Sequence, residues 1–196
     1  MELEIQNIGK QYNRQWLFKN VSFKLQDGQS MSITGKNGSG KSTLVQIVYG
    51  LVQASEGEVR IDGKNQYEPY TYFAASTPYM ELPWEFSISE IHKLYKDLQK
   101  TNMELDVFLA FAEFSSQQSY KPVKLFSSGM QQRLKTALCM SSNAPVLLLD
   151  EPLTNMDKQG ELWYKNCIDS LKSRICIIAG NNLAEYEWAN FNLQIA

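Results

Sequence analysis

Apolar residues alternate with polar ones in three short stretches near the start of the chain. A period of two is typical of a β-strand that buries one face, so each stretch predicts a strand. The third stretch runs into Asp62-Gly63, a pair that favours a tight turn. The alternating apolar positions are Leu3, Ile5, Val21, Phe23, Leu25, Val59 and Ile61. The beginning of the chain is therefore expected to be rich in β-structure.

The pattern changes to a helical period in the middle of the chain. Apolar residues recur there every three or four positions, which places them on one face of a helix. Two such groups occur, one between residues 88 and 98 and the other between 105 and 111. Their members are Ile88, Ile91, Leu94, Tyr95, Leu98, Leu105, Phe108, Leu109 and Phe111. We expect a helical lobe over about residues 76–143.

Two continuous apolar runs follow, at residues 146–149 and 175–178. Such runs are typical of parallel strands that are covered on both faces. A helix predicted from about Asp157 to Lys172 lies between them, which makes a β-α-β unit. The pattern thus predicts an α/β fold with a mostly parallel core sheet, a β-rich N-terminal edge and an inserted α-helical lobe. Residues 1–196 would form one domain, whose core lobe takes about 1–75 and 144–196.

Composition and charge exclude several classes of protein. The 196 residues carry a formal net charge of −2, without the basic surplus that nucleic-acid binding needs. No apolar run approaches the roughly 18–20 residues that span a bilayer, and residues 1–4 lack the features of a secretion signal. The three cysteines have no metal-ligand spacing and are expected to be reduced packing residues. We therefore expect a cytoplasmic protein.

A glycine-rich segment matches the phosphate-loop pattern G-x-x-x-x-G-K-[ST] at every fixed position. It lies between a strand predicted at residues 31–34 and a helix predicted over 44–48, with Gly50 as its C-terminal stop. Glycines let successive backbone N–H groups point at phosphate oxygens. Lys41 is expected to reach the β- and γ-phosphates, and the Ser42 hydroxyl to ligate Mg²⁺. The predicted nucleotide-binding residues of this segment are Gly35, Lys36, Asn37, Gly38, Ser39, Gly40, Lys41, Ser42 and Thr43.

The apolar run at residues 146–149 ends in two carboxylates, Asp150 and Glu151. At the carboxyl edge of a parallel sheet, such residues face the ligand crevice. Asp150 is expected to hold Mg²⁺, directly or through water, and Glu151 to orient and deprotonate the attacking water. Together with the phosphate loop, the pair predicts a P-loop NTPase in which Lys41 and Glu151 are catalytic.

A further motif, F-S-S-G-M-Q-Q-R at residues 126–133, lies shortly before the carboxylate pair. Ser127 is expected to cap a helix whose first N–H groups, including that of Gly129, suit a γ-phosphate. The motif resembles the LSGGQ signature of ATP-binding-cassette (ABC) ATPases, with Phe, Ser and Met replacing Leu, the first Gly and Gln. Residues 153–157 resemble the D-loop of the same family, with Asp157 at the place of its aspartate.

The resemblance to ABC ATPases covers nearly the whole chain and implies ATP and Mg²⁺ as cofactors. Residues 17–23 resemble the family's second strand, which puts Tyr12 at the place of the aromatic residue that stacks on adenine. Two cassettes, identical or different, would bind two ATP molecules head to tail, so that Ser127 and Gly129 act in trans. A separate transmembrane permease subunit would be the other partner. Through it alone the cassette would touch the membrane, on the inner face of the cell membrane.

Two elements of the family's pattern are missing. No glutamine occurs between Gln66 and Gln99, where the Q-loop glutamine is expected, and residues 76–79 (Ser-Thr-Pro-Tyr) occupy that region. The only histidine, His92, belongs to the helical lobe, so it does not stand at the family's switch position. Asn181 aligns with that position and is expected to contact the nucleotide. An asparagine can hydrogen-bond a γ-phosphate or a water but cannot take up a proton at neutral pH.

The short length and the S-S-G-M signature resemble small bacterial exporter cassettes, and the segments L-F-K-N-V-S-F and G-E-V are similar to the haem-exporter cassette of cytochrome c maturation. An ATP-hydrolysing transporter motor is the leading prediction. The missing glutamine and histidine favour the alternative of a regulatory or slow cassette that binds ATP with little turnover, whereas Glu151 opposes it. A non-transport ABC protein that acts on ribosomes or DNA is the third possibility.

Overall fold

The computed structural model describes residues 1–65 and 69–195, so Gln66, one end of the glutamine-free stretch, lies outside the described residues. The strands are β1 Glu2–Tyr12, β2 Gln15–Gln26, β3 Ser30–Thr34, β4 Glu56–Ile61, β5 Phe73–Ser76, β6 Val146–Asp150, β7 Ile175–Ala179 and β8 Phe191–Gln194. The helices are α1 Lys41–Tyr49, α2 Pro69–Tyr72, α3 Ile88–Asp97, α4 Leu105–Phe111, α5 Ser128–Met140, α6 Lys158–Cys167 and α7 Leu183–Tyr186.

The N-terminal part forms a three-stranded antiparallel sheet in the order β2-β1-β4. The hairpin between β1 and β2 turns at Asn13 and Arg14, whose φ angles are 46° and 65°. Both angles lie in the left-handed region, which favours two-residue hairpin turns that match the twist of the strands. This sheet confirms the predicted β-rich N-terminal edge.

A five-stranded parallel sheet in the order β5-β6-β7-β3-β8 forms the centre of the protein. Every residue of β6 and β7, which contain the two predicted apolar runs, is buried. The register pairs Ala179 with Asp150 on one side and with Ile33 on the other. The carboxyl ends of β3, β6 and β7 therefore lie side by side, and the residues that follow them meet at one edge of the sheet. The predicted P-loop type of α/β fold is confirmed.

Two hydrophobic clusters cover the opposite faces of the parallel sheet. Val146 and Leu148 belong to one cluster, and Leu147 and Leu149 belong to the other, because successive side chains of a strand point to opposite faces. The first cluster includes the apolar face of α1 and the N-terminal sheet. The second includes the apolar residues of α3, α4, α5 and α6. The central sheet thus joins both halves of the core.

Helices α3 to α5 lie between β5 and β6 along the chain. Ser87 begins α3 with a capping box, in which its hydroxyl accepts from the backbone N–H of Glu90 and the Glu90 carboxylate accepts from the backbone N–H of Ser87. His92 on α3 is 2% exposed and its ring lies 5.2 Å from that of Phe108 on α4. Burial lowers the pKa of His92, so the imidazole is a neutral packing group between the two helices.

The helix predicted over residues 157–172 changes type before its end. Asp157 caps α6 by accepting the N–H of Gly160 at 2.8 Å, and α6 ends at Cys167. Ile168–Leu171 continues as a 3-10 turn. The hydroxyl of Ser170 donates to the backbone oxygen of Cys167 at 2.6 Å, a local bond that competes with the α-helical pattern. The predicted helical stretch is therefore present, as an α-helix up to Cys167 and a 3-10 turn after it.

The three cysteines, Cys139, Cys167 and Cys176, are free and buried, as predicted. Burial raises the pKa of each thiol to about 12, which leaves them protonated and unreactive at neutral pH. Across residues 1–65 and 69–195, no helix combines the length and the apolar character that crossing a membrane requires.

Candidate nucleotide-binding site

The phosphate loop connects β3 to α1. Gly35 opens it with a φ of 150°, and Gly40 caps α1 with a φ of 101°. A Cβ on Gly35 would overlap the backbone oxygen of Ile195, and one on Gly40 would overlap side chains of β2. The loop therefore needs glycine at both positions. Ser42 and Thr43 lie in the first turn of α1, beside the backbone N–H groups that the start of a helix leaves free.

The Lys41 side chain lies inside the loop and is only 6% exposed. Its Nζ donates to the backbone oxygen of Gly35 at 2.9 Å and to that of Lys36 at 3.2 Å. An ammonium group has three donors, so one remains for an anion that enters the loop. The exposed Asn37 and Gly38 form the outer rim of the same loop.

Asp150 is 1% exposed, and within the described part of the chain neither of its carboxylate oxygens has a hydrogen-bond partner. Burial raises its pKa to about 6; the Ser42 hydroxyl, near but outside hydrogen-bond geometry, lowers it, the charge of Glu151 raises it and the charge of Lys41 lowers it. The buried hydroxyl of Ser39 is also without a partner. Unsatisfied oxygens of this kind are costly unless a ligand completes them. The donor set suits a hard cation such as Mg²⁺.

Glu151 follows β6 with a φ of 48°, in the left-handed region that is unusual for this residue type. Its backbone N–H donates to Ala179 at 2.8 Å, and its Oε2 accepts from the hydroxyl of Thr154 at 3.2 Å. Such strained backbone persists where the surroundings fix it, and it is frequent at functional sites. Here it turns the chain away from the sheet directly after Asp150.

Glu151 and the phosphate loop line one cleft of about 290 Å³. Its lining residues are Leu17, Asn37, Gly38, Gly40, Lys41, Ser42, Thr43, Tyr79 and Glu151. Tyr79, which is 68% exposed, is the last residue of the segment that replaces the expected glutamine. Six of the nine predicted phosphate-loop residues and Glu151 thus line one cleft, to which Tyr79 adds a phenol.

A second cavity of about 330 Å³ shares Asn37 and Glu151 with this cleft. Asn181 and Asn182 line it, together with Glu185 of α7. The side-chain amide of Asn181 donates to Oδ1 of Asn37 at 2.7 Å. Asn181 therefore contacts the phosphate loop through a neutral hydrogen bond.

Ser127, Gly129 and Asp157 lie elsewhere on the chain, around a cavity of about 340 Å³. The hydroxyl of Ser127 accepts the N–H of Met130 at 3.2 Å and so caps α5. A Cβ on Gly129 would lie 2.6 Å from the backbone oxygen of Asn155, so the turn after Glu151 packs closely on the start of α5. This cavity shares no lining residue with the phosphate-loop cleft.

Tyr12 lies at the exposed end of β1, where Lys10 places its Nζ 4.8 Å from the centre of the ring. It does not line the phosphate-loop cleft, to which β2 contributes Leu17 instead. Gln132, inside the motif at residues 126–133, was given no role of its own by the sequence; it is 6% exposed and donates to the backbone oxygen of Pro152 at 3.4 Å.

A parallel sheet with a phosphate loop after β3 and an aspartate–glutamate pair after β6 defines a P-loop nucleoside triphosphatase. Residues 18–154 of this chain match the ABC transporter family. The chain therefore belongs to the ABC transporter family. It is an ATP-binding ATPase of the kind that serves transporters, as the sequence predicted.

Several relatives and solved structures are similar to this chain. It is 29% identical over 178 residues to the cytochrome c biogenesis ATP-binding export protein CcmA of Agrobacterium fabrum, and the match covers 87% of this chain and 83% of the relative. It is 30% identical over 199 residues to the lantibiotic transport ATP-binding protein SrtF of Streptococcus pyogenes, with coverage of 94% and 82%. The ribosome protection protein VmlR of Bacillus subtilis is 31% identical over 155 residues, with coverage of 79% and 27%.

Among solved structures, the dimeric post-hydrolysis state of an ATP-binding cassette with ADP and Pi bound has a TM-score of 0.86 and 21% identity, and the match covers 98% of this chain and 94% of that one. A bacterial Atm1-family ABC exporter with ATP bound has a TM-score of 0.85 and 20% identity, with coverage of 100% and 37%. These two structures share the fold of this chain.

Proposed function

We propose that this chain is the ATP-hydrolysing motor subunit of a transporter whose membrane-spanning part is a separate permease. The observation that carries the proposal is the separation of two surfaces. The phosphate loop and Glu151 line one cleft, whereas Ser127 and Gly129 line a cavity that has no residue in common with it. One chain thus offers two different halves of an ATP site, and two chains arranged head to tail would form two complete ATP sites.

ATP would bind with its phosphates in the loop. Lys41 would donate to the β- and γ-phosphate oxygens, and the backbone N–H groups at the start of α1 would hold the others. Ser42 and the unpartnered oxygens of Asp150 would hold Mg²⁺. When bound, Mg²⁺ would supply charge neutralisation at the phosphate oxygens. The charge of the cation would also favour the ionised form of Asp150 and so lower the pKa that burial raises.

Hydrolysis would depend on Glu151 and Asn181, which line the same cavity. Glu151 would orient the attacking water and accept its proton. Asn181 would exchange its bond to Asn37 for one to the γ-phosphate or the water. Its amide cannot take up a proton, so the acid–base work would fall on Glu151 alone.

The permease would dock on an apolar groove of about 400 Å³ between β5 and α3. Tyr49 and Phe73 line it from one hydrophobic cluster, and Tyr95 and Cys139 line it from the other. We propose that residues of about 1–75 and 144–196 act as a core lobe and those of about 76–143 as a helical lobe. The groove lies between these two lobes. If one lobe moved relative to the other, the movement would therefore be transmitted to an apolar helix of a permease bound in the groove. The motor would then sit on the inner face of the cell membrane.

Glu151→Gln tests the motor. Glutamine keeps the shape of the side chain but cannot accept the proton, and general-base catalysis is typically worth ~10²–10⁴-fold in rate. We expect ATP to bind with unchanged affinity, hydrolysis to fall by that factor and an ATP-dependent dimer to accumulate in light scattering. Lys41→Ala is the matched control, because it should weaken ATP binding itself. A fall of less than tenfold without any trapped dimer would remove Glu151 from the role of base.

Leu98→Asp tests the docking groove. Leu98 is 58% exposed and lines the groove, so a carboxylate there should abolish copurification with the permease while the isolated chain still hydrolyses ATP. Leu51→Asp is the control, since Leu51 is 60% exposed and lies outside the lining of the groove. If both variants copurify with the permease equally well, the groove is not the docking surface.

A slow or regulatory cassette is the second candidate, and Asn181 is the observation that favours it. Its neutral bond to Asn37 stands where the family pattern has a histidine. Steady-state turnover with the permease present separates the two functions, because a motor accelerates with its permease and a regulatory cassette does not. A chain that copurifies with ribosomes instead of a membrane protein would favour the activity that the name of VmlR states.

A further inference from the structure

Glu185 is a buried carboxylate beside the candidate site that the proposed mechanism does not use. It is 3% exposed and belongs to α7, a helix of only four residues. Its Oε1 accepts from the backbone N–H of Leu153 at 3.3 Å, and its Oε2 accepts from the backbone N–H of Asn182 at 3.3 Å. Leu153 lies two residues after Glu151, and Asn182 directly follows Asn181. One carboxylate therefore connects the two turns that carry the candidate catalytic groups.

The surroundings of Glu185 hold it from both ends. The hydroxyl of the fully buried Tyr164 donates to its backbone oxygen at 2.8 Å, and the indole of Trp188 donates to the same oxygen at 3.0 Å. At the other end, a Cβ on Gly180 would overlap Oε2 of Glu185. The carboxylate fits between the turns only because residue 180 is glycine.

Helix capping explains only part of this arrangement. A capping glutamate bonds to the backbone at the start of its own helix, as Glu185 does with Asn182. Capping requires neither burial nor a bond to a different loop. The bond to Leu153 and the contact with Gly180 therefore need another explanation.

Burial also places a negative charge where it is unfavourable. Burial raises the pKa of Glu185, the bonds from the backbone of Asn182 and Leu153 lower it, and the nearby charge of Glu151 raises it again. A buried carboxylate that merely filled space could be replaced by an apolar residue at little cost. Its position beside a second carboxylate is explained if both oxygens of Glu185 are needed as hydrogen-bond acceptors.

We propose that Glu185 is a positioning residue for ATP hydrolysis, which holds the turn of Glu151 and the turn of Asn181 in one fixed geometry. The inference rests on the proposed function, because it takes Glu151 as the base. Glu185 lines the cavity that holds Glu151 and Asn181 but does not line the phosphate-loop cleft. It therefore affects the attacking water and the base Glu151, and not the affinity for ATP. Small misplacement of a catalytic group is enough to slow the reaction strongly.

Glu185→Gln is the central test. A glutamine side chain offers one acceptor oxygen where the carboxylate offers two, so one of the two backbone bonds must be lost. We expect the dissociation constant of MgATP to stay within about twofold and kcat to fall about tenfold or more. Glu187→Gln is the matched control on the same stretch, because Glu187 is exposed and pairs only with Lys165 at 3.6 Å among the described residues.

Two further variants distinguish a loss of positioning from a loss of stability. Gly180→Ala leaves Glu185 in place but displaces its carboxylate, so it should reproduce the fall in kcat with the same ATP affinity. In single-turnover assays, the double variant Glu151→Gln/Glu185→Gln should be slower than Glu151→Gln by much less than the factor that Glu185→Gln causes alone, since the base is gone and only the turn of Asn181 is left to position.

The outcomes separate the inference from the proposed function. If Glu185→Gln and Gly180→Ala lower the melting temperature while kcat of the folded protein is unchanged, Glu185 is only a cap. If the double variant is slower than Glu151→Gln by the full factor of Glu185→Gln, Glu185 does not act through Glu151. If Glu151→Gln itself hydrolyses ATP at the normal rate, Glu151 is not the base, and that part of the proposed function fails whatever Glu185 does.

Discussion

At the scale of single residues, the site is built from groups that the free protein leaves unsatisfied. Asp150 has two buried oxygens without partners in the described chain, and Ser39 has one. Each such atom costs about 1–3 kcal/mol relative to a bonded one. Natural proteins rarely keep such groups in a core unless a ligand completes them. Of the five unpartnered buried side-chain atoms of the described residues, three therefore lie where the phosphates and their cation would bind, and the other two are Nε2 of His92 and Nε of Arg133.

Asn181 gives a direct test of this site at the residue scale. We expect Asn181→His to speed hydrolysis, because a protonatable ring would replace an amide next to the γ-phosphate. The rate should also gain a dependence on pH near the ordinary imidazole pKa of about 6.5. Steady-state rates between pH 5.5 and 8, with the permease present, measure both effects.

Asn181→Ala is the control for that experiment, since it removes the amide and its bond to Asn37 without adding an imidazole. It should slow hydrolysis without any new pH dependence. A flat pH profile for Asn181→His together with a lower melting temperature would show that residue 181 is a turn position and not a switch.

Chemistry made some site residues predictable and hid others. Lys41, Ser42 and Glu151 could be predicted because a phosphate loop and a base need those residue types at fixed spacings. Tyr79 and Glu185 carry no such spacing. They reach the site only because β5 and β7, which precede them in the chain, end at the same edge of the sheet, and that edge is defined by strand order rather than by sequence pattern.

At the scale of elements, the strands with strong patterns were predicted, and the two short strands β5 and β8 were not. β8 alternates apolar and polar residues over only four positions, too few for its period to stand out. Besides the backbone ladder, polar side chains join it to β3. Asn192 accepts from the hydroxyls of Ser32 at 2.9 Å and Thr34 at 3.0 Å, and Asn190 accepts from that of Ser30 at 2.9 Å. Hydrogen bonds between residues about 160 positions apart cannot be seen in a local pattern.

His92 gives a test of the packing between α3 and α4. Burial lowers its pKa, a hydrogen bond with the backbone of Met103 raises it, the charge of Lys96 lowers it and that of Glu104 raises it, with burial the largest of these effects. The unfolded chain therefore takes up a proton below about pH 6.5 that the folded protein refuses. The stability that His92 contributes is complete above that pH and is lost as the pH falls towards the lowered value. For one proton, the slope is at most about 1.4 kcal/mol per pH unit.

His92→Phe should remove this slope, because phenylalanine keeps the ring against Phe108 but does not titrate. Urea unfolding between pH 7.5 and 5.5 measures it, and the difference between wild type and variant isolates His92 from the carboxylates. As the chain has no other histidine, equal slopes for the two proteins would mean that His92 is protonated in the fold as readily as in the unfolded chain.

At the scale of the whole molecule, the two hydrophobic clusters share the central sheet. Odd and even residues of β6 and β7 belong to different clusters. The sequence predicted these strands as continuous apolar runs, but the side on which each residue packs followed only from the sheet and the helices on it. Since both clusters use the same strands, a change on one face of the sheet is felt on the other.

Mixing two inactive variants tests the head-to-tail dimer. Lys41→Ala damages the phosphate loop, and Gly129→Ala pushes the start of α5 against Asn155, so neither homodimer should hydrolyse ATP efficiently. In a heterodimer, one site would combine the intact loop of one chain with the intact signature of the other. For independent sites, an equal mixture should recover about a quarter of the wild-type rate, because half of the dimers have one good site of two.

Leu125→Ala serves as the control in this mixture, because Leu125 is 67% exposed just before the signature motif, does not line its cavity and should leave the rate normal. A mixture of the two inactive variants that is no faster than either variant alone would argue that each chain completes its own site.

The close packing of Gly129 on Asn155 also bears on timing within such a dimer. The turn that begins at Glu151 would serve one nucleotide, and the helix start on which it rests would serve the other. When one phosphate leaves and its turn relaxes, the binding surface for the opposite nucleotide would shift as well. The two hydrolysis events would then be coupled, and a recovered rate above that of either variant but below a quarter of the wild-type rate would measure how strongly.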